Sequence, residues 1–187
     1  MAKMLPAQFD ASTASAAERR LFELLKNDPD TKDWIVLHSL GLSRRGKKPY
    51  GEIDFVVLIP AEGVFCLEVK GGRISCQSGE WTTTNRAGQT EKLHRSPFLQ
   101  AREGMFALRD AVLNRAPTGF PTGIVFGYAV VMPDVSFSVR SPEWESWQAI
   151  DHEVLRKPVS AALRRLAAEQ AKLHPKAPAA EPTAVPP

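Results

Sequence analysis

The chain has 187 residues, 43% apolar and 24% charged, and the 24 Lys and Arg against 21 Asp and Glu leave a formal charge of +3. That profile is an ordinary globular one, and the mild basic excess permits a nucleic-acid partner without demanding one. With two cysteines, Cys66 and Cys76, and only strand-sized apolar runs, it excludes a disulfide framework, a four-cysteine zinc site, a membrane-spanning helix and a collagenous or wholly disordered chain. The start of the chain lacks a signal-peptide core, so the expected compartment is the cytoplasm.

In chain order, residues 1–11 are a weakly patterned N-terminal arm. Ser12 or Ser15 can cap a helix running to about Asn27, whose apolar residues Ala17, Leu21, Phe22, Leu24 and Leu25 recur at helical spacing. Trp34 to Leu40 reads as a strand, followed by a basic loop containing Arg44, Arg45, Lys47 and Lys48. Glu52 to Ile59 and Gly63 to Lys70 read as two strands joined by a tight hairpin. A smaller hairpin covers Ile74 to Cys76 and Glu80 to Thr84. Ser96 as cap and Pro97 at the first helical position open a second helix that ends near Asn114. Gly123 to Met132 is nearly all apolar, the pattern of a strand covered on both faces. Residues 133–149 read as loop, Asp151 can cap a further helical stretch, and 159–173 is helical. One domain thus spans 12–173, and the Pro/Ala-rich residues 174–187 have almost nothing to bury, as in a disordered tail.

Chemistry concentrates in Gly51-Glu52-Ile53-Asp54-Phe55 and Cys66-Leu67-Glu68-Val69-Lys70. Alternation puts Glu68 and Lys70 on one face of their strand. If the hairpin loop is Pro60, Ala61 and Glu62, Ile59 pairs with Gly63 and Asp54 falls opposite Glu68, roughly 5 Å away. Two carboxylates so placed repel each other, and a divalent cation resolves the conflict. Asp54, Glu68 and a backbone carbonyl, that of Val69, suit Mg²⁺, with Mn²⁺ as substitute, because Mg²⁺ takes oxygen ligands and keeps several waters. Lys70 can orient a metal-bound water or stabilise charge on a phosphate. Glu18 shares the buried face of the first helix with Leu21, Phe22 and Leu25, so it needs a partner there: either a Lys or Arg, or the metal site. Gln100, in the first turn of the second helix, can reach a phosphate or a metal-bound water. The bland alternative is a surface salt-bridge ladder worth ~0–1 kcal/mol. Cys66 reads as a small buried hydrophobe rather than a nucleophile, and the tryptophans Trp81, Trp144 and Trp147 as core or cover. Phosphate-binding and dinucleotide glycine loops are missing, which argues against a nucleotide cofactor.

These blocks resemble the nuclease-related domain (NERD) family of the PD-(D/E)xK nuclease superfamily. The resemblance covers roughly residues 15–132 and rests on the helix with Glu18, GEIDFVV (51–57), GVFCLEVKGG (63–72), GRI…GEW (72–81) and SPFLQA (96–101). It implies an α/β (α+β), restriction-endonuclease-like α-β-β-β-α-β core with a mixed central sheet flanked by helices. Asp54, Glu68 and Lys70 match the catalytic D…ExK, Glu18 the first-helix acid and Gln100 the family's glutamine. Ile53 stands where the superfamily motif has its Pro. The implied activity is Mg²⁺-dependent hydrolysis of DNA by an endonuclease, in DNA processing or defence, from a stand-alone domain in a bacterial cytoplasm. The alternative is a catalytically silent DNA-binding or partner-docking module on the same fold. A third reading, an unrelated α/β protein, must explain the order of the blocks by chance. Arg44, Arg45, Lys47, Lys48, Lys92, His94 and Arg95 are the candidate phosphate contacts. DNA is the expected partner, with a second copy of the chain or a separate helicase-type protein as further candidates.

Overall fold

A computed structural model describes residues 1–10, 15–42, 51–121 and 123–173. The basic loop with Arg44, Arg45, Lys47 and Lys48 and the tail at 174–187 lie outside the described residues. No described helix is long and apolar enough to cross a membrane.

Helix α1, Ala16–Asn27, starts where the Ser15 hydroxyl accepts the Glu18 N–H at 3.2 Å. Helix α2, Pro97–Leu113, has Ser96 at its N-cap, but the Ser96 hydroxyl makes no cap bond and is buried without a partner among the described residues. Pro97 sets the start instead, by its fixed φ. Helix α3 is Val159–Leu173. The strands are β1 (Lys3–Leu5), β2 (Ile35–Gly41), β3 (Glu52–Ile59), β4 (Gly63–Val69), β5 (Arg73–Gln77), β6 (Glu80–Thr84), β7 (Thr90–Leu93), β8 (Phe126–Met132) and β9 (Ala149–Asp151).

Six strands form the central sheet in the order β1-β2-β3-β4-β8-β9, and β5-β6-β7 form a small antiparallel sheet. β2, β3 and β4 are antiparallel neighbours, while β1 on β2, β8 on β4 and β9 on β8 run parallel, so the central sheet is mixed. Helices α1 and α3 cover one face, where Leu21, Phe22, Leu25, Leu163 and Leu166 pack on Phe55, Val57, Phe65 and Leu67. Helix α2 covers part of the other face, where Met105 and Leu108 meet Ile53, Val56, Cys66 and Phe126. β4 lies under both layers, which is why Phe65 to Val69 are all buried. Cys66 is fully buried and its thiol is pushed up to about 12 by burial, as suits a core residue. Trp81 carries the small sheet onto α2 and the loop after β8, through Phe98 and Trp144, whose rings stack at 4.4 Å.

Sequence and structure differ at the edges. β1, β7 and β9 are three or four residues long, too short for alternation to register, and two of them are outer strands of the central sheet. β8 begins at Phe126 rather than Gly123, because Gly123 takes φ +82° and cannot extend the ladder. The stretch after Asp151 is a single 3-10 turn, Val154–Arg156. Asp151 does accept the Val154 N–H, at 2.9 Å, but Pro158 holds the preceding residue out of helical conformation.

One buried carboxylate ties two helices together. Asp28 follows α1 and accepts the N–H of Asp30 and, through its other oxygen, the N–H of Ser160 at the start of α3, both at 2.9 Å. Asp28→Ala leaves the buried Ser160 N–H without an acceptor and is expected to lower stability by about 1–3 kcal/mol in urea unfolding, with Asp28→Asn recovering part of the loss.

Candidate active site

The register of β3 on β4 is set by a three-residue turn: Ile59 pairs with Gly63, and the pairs run on to Phe55 with Leu67. One step further the same register sets Asp54 opposite Glu68, and there the ladder stops. Past that point the Val69 N–H, which by register would look to Ile53 on β3, is met by Asp54 Oδ2 at 2.7 Å. The Asp54 carboxylate therefore stands in for a backbone acceptor where two strands part. On its other side, His38 pairs with Phe55 and Leu40 with Ile53, but the intervening Ser39–Asp54 pair is missing from the ladder. Ser39 has φ +55°, an uncommon conformation for a residue with a side chain. Asp54 thus lies between two interrupted ladders.

Three acids meet near this gap, each held by one oxygen. Asp54 uses Oδ2 on Val69. Glu68, 8% exposed, uses Oε1 on the Lys70 ammonium at 2.6 Å. Glu18, in the first turn of α1, uses Oε2 on His38 Nε2 at 3.1 Å. The second oxygen of each has no protein hydrogen bond among the described residues. In an extended strand a residue's N–H and C=O leave by the same edge, so the Val69 carbonyl faces the β3 side as well.

The electrostatics follow from this crowding. Burial, then the nearby Glu68 charge, push the Asp54 carboxyl up to about 7, and Glu18 adds to the push. The Val69 N–H and the Lys70 ammonium pull the other way and do not prevail. Such a group gains from a cation. No group of three or more His, Cys, Asp and Glu among the described residues is placed to hold a metal ion, so a cation here would rest on two carboxylates and a backbone carbonyl. The donors on offer are carboxylate oxygens and a strand carbonyl, and that set fits a hard cation that keeps part of its water.

The remaining predicted residues are scattered more widely. Gln100 is half-buried in the first turn of α2 and makes no side-chain hydrogen bond among the described residues. Lys92, on β7, pairs with Glu80 at 2.5 Å, and Arg95 pairs with Glu103. His94 is exposed between β7 and α2. Arg44, Arg45, Lys47 and Lys48 lie outside the described residues. Just beyond Lys70, a cleft of about 630 Å³ opens between the start of α1 and the Gly71-Gly72 turn, with Arg73, Thr83 and Arg86 along it.

His38 is the site residue that sequence reasoning misses. A signal exists: Val36 and His38 alternate onto the buried face of β2, and a buried imidazole needs a partner just as Glu18 does. What the sequence lacks is any reason to pair a helix acid with a strand histidine twenty residues later.

The sequence profile of the family described as "Nuclease-related domain" matches residues 13–132. No curated protein and no solved structure matches the chain.

The Asp54 carboxyl makes stability depend on pH. An acid whose folded pKa is raised holds its proton more tightly when folded, so its contribution is present at low pH and is lost as pH rises from its ordinary value, 3.8, to about 7. Asp54→Asn keeps an oxygen for the Val69 N–H and removes the charge. In metal-free buffer at pH 8 the variant is expected to melt ~2–6 °C above the wild type, and the gap should close near pH 4. A gap of the same size at both pH values would mean that charge is not its cause.

Proposed function

The chain belongs to the nuclease-related domain family, and on that premise we propose that it is a Mg²⁺-dependent endonuclease that hydrolyses DNA phosphodiester bonds. The observation that carries this reading is the meeting of Asp54 and Glu68 at the gap between β3 and β4, with Lys70 on Glu68 and the Asp54 carboxyl raised to about 7. Asp54, Glu68 and the Val69 carbonyl are the groups that would hold the cation. The cation supplies a water made acidic enough to attack phosphorus and a positive charge for the phosphate oxygens.

The chain's own part in the reaction is positioning and charge. Lys70 lies against Glu68 and is 23% exposed, so its ammonium can reach a phosphate at the surface while staying beside the acids. It orients the attacking water or takes up charge as the phosphorus gains a fifth oxygen. Gln100 is the candidate to hold a phosphate oxygen from the α2 side. For binding, the proposed contacts are Arg44, Arg45, Lys47, Lys48, His94, Lys92 and Arg95. Lys92 and Arg95 must first give up their acidic neighbours, Glu80 and Glu103, or share them.

Plasmid nicking in Mg²⁺ or Mn²⁺ tests the catalytic reading. Glu68→Gln is expected to abolish cleavage, keep the fold, and leave metal-free DNA binding equal or tighter, because a charge that repels phosphate has gone. Lys70→Ala should slow cleavage by about 10²–10³-fold and weaken binding slightly. If both variants cut like wild type, the site is wrong. A wild type that binds DNA and never cuts in either metal would instead establish the silent binding-module reading.

The basic residues at 44–48 are tested separately. Replacing Arg44, Arg45, Lys47 and Lys48 together with Ser should weaken DNA binding and flatten the dependence of log K on log salt, by about 0.9 for each phosphate no longer neutralised. An unchanged slope would move the DNA surface elsewhere.

A further inference from the structure

His38 has an environment that neither the proposed chemistry nor the fold requires. Its ring is caged by three aromatics: Phe9 stacks on it at 4.9 Å, Phe55 lies tilted at 4.7 Å, and Phe22 meets it edge-on at 5.8 Å. The side chain is 1% exposed. A phenylalanine would suit such a cage with no polar atom to satisfy. The ring instead spends Nε2 on Glu18 Oε2, 3.1 Å away, with Ser39 Oγ also near at 3.4 Å.

Glu18 is the third acid beside the Asp54–Glu68 pair, where another negative charge is unfavourable, as its effect on Asp54 shows. A purely structural arrangement would keep a carboxylate away from two others. Here both ends of the contact are pinned. The Glu18 N–H is held by the Ser15 hydroxyl at the start of α1, and His38 is held by its cage on β2. The Glu18 side chain is still 16% exposed, so it is not sealed from solvent.

We propose that His38 is a positioning residue that donates Nε2–H to Glu18 and so fixes its carboxylate beside Asp54 and Glu68, leaving one Glu18 oxygen for a water of the hydrated cation. The inference rests on the nuclease reading of the site. It assigns His38 no contact with substrate. A fixed acceptor restricts the orientation of a cation-bound water, and a loose one does not.

The test uses the full chain and Mn²⁺ alone as the metal probe. His38→Phe keeps a ring in the cage and removes the donor, His38→Gln returns a donor at similar reach, and Glu18→Gln removes the charge. His38→Phe is expected to lose Mn²⁺ affinity several-fold and plasmid cleavage at least tenfold while its circular dichroism is unchanged, and His38→Gln should recover part of both. In Glu18→Ala, which removes the acceptor, adding His38→Phe should cost nothing further, because the two act through one contact. Should His38→Phe fail to fold, the wild type and Glu18→Gln still decide: the His38 Nε2–H resonance, recorded by ¹⁵N NMR, should move when Glu18 loses its charge. Wild-type Mn²⁺ affinity and cleavage in His38→Phe, additive losses in the double variant, or an unmoved resonance each overturn the proposal. A wild type that binds Mn²⁺ but never cuts overturns the nuclease reading alone, whereas one that does neither overturns both.

Discussion

The hydrogen bond from the Val69 N–H to the Asp54 carboxylate holds the centre of this protein together while keeping it open. Two antiparallel strands that continue to pair would use backbone acceptors on both sides and bury the intervening side chains. β3 and β4 stop pairing after Phe55 and Leu67, and a side chain takes over the freed donor at 2.7 Å. A buried N–H must find an acceptor, so the parting of the strands is possible because an acid stands at that position. The same acid is then forced close to Glu68. Structural satisfaction and electrostatic conflict come from one residue.

The layers around the gap explain why the conflict persists. Phe55, Val57, Phe65 and Leu67 fix the β3–β4 hairpin from the α1 and α3 side, and Val56 and Cys66 fix it from the α2 side. An odd slip of the hairpin would exchange these faces and expose two sets of core residues at once. Asp54 therefore cannot move away from Glu68 without unpacking the sheet. Glu18 is equally committed, since Ala17, Leu21, Phe22 and Leu25 seat α1 on the core. Lys70 relieves part of the repulsion through Glu68 and leaves Asp54 raised. Acids held together against their own repulsion gain when a cation balances their charge.

How far the sequence can be read depends on the length of each pattern. The helices at 16–27, 97–113 and 159–173 and the strands at 52–59 and 63–69 carry long apolar periodicities or runs, and the hairpin turn leaves little freedom of register. β1, β7 and β9 carry no such pattern, because three or four residues pair only where a neighbouring strand already offers an edge. Ser39 shows the same limit inside a strand. It sits in a run that alternates well, and nothing local announces its φ of +55°.

Within the site, alternation and a tight turn are enough to bring Asp54 opposite Glu68 and Lys70 beside Glu68, because those relations are made within one hairpin. That the chain belongs to the nuclease-related domain family is likewise legible in the blocks around Glu18, Asp54 and Glu68. Tertiary structure alone decided the rest. It put β3 and β4 apart at one step of the ladder, turned Asp54 onto the Val69 N–H, and brought His38 of β2 within 3.1 Å of Glu18 of α1. These contacts join separate elements through packing of the aromatic cage and the central sheet. Sequence periodicity reports which face of an element is buried, and it carries no information on which buried polar group another element will present to it.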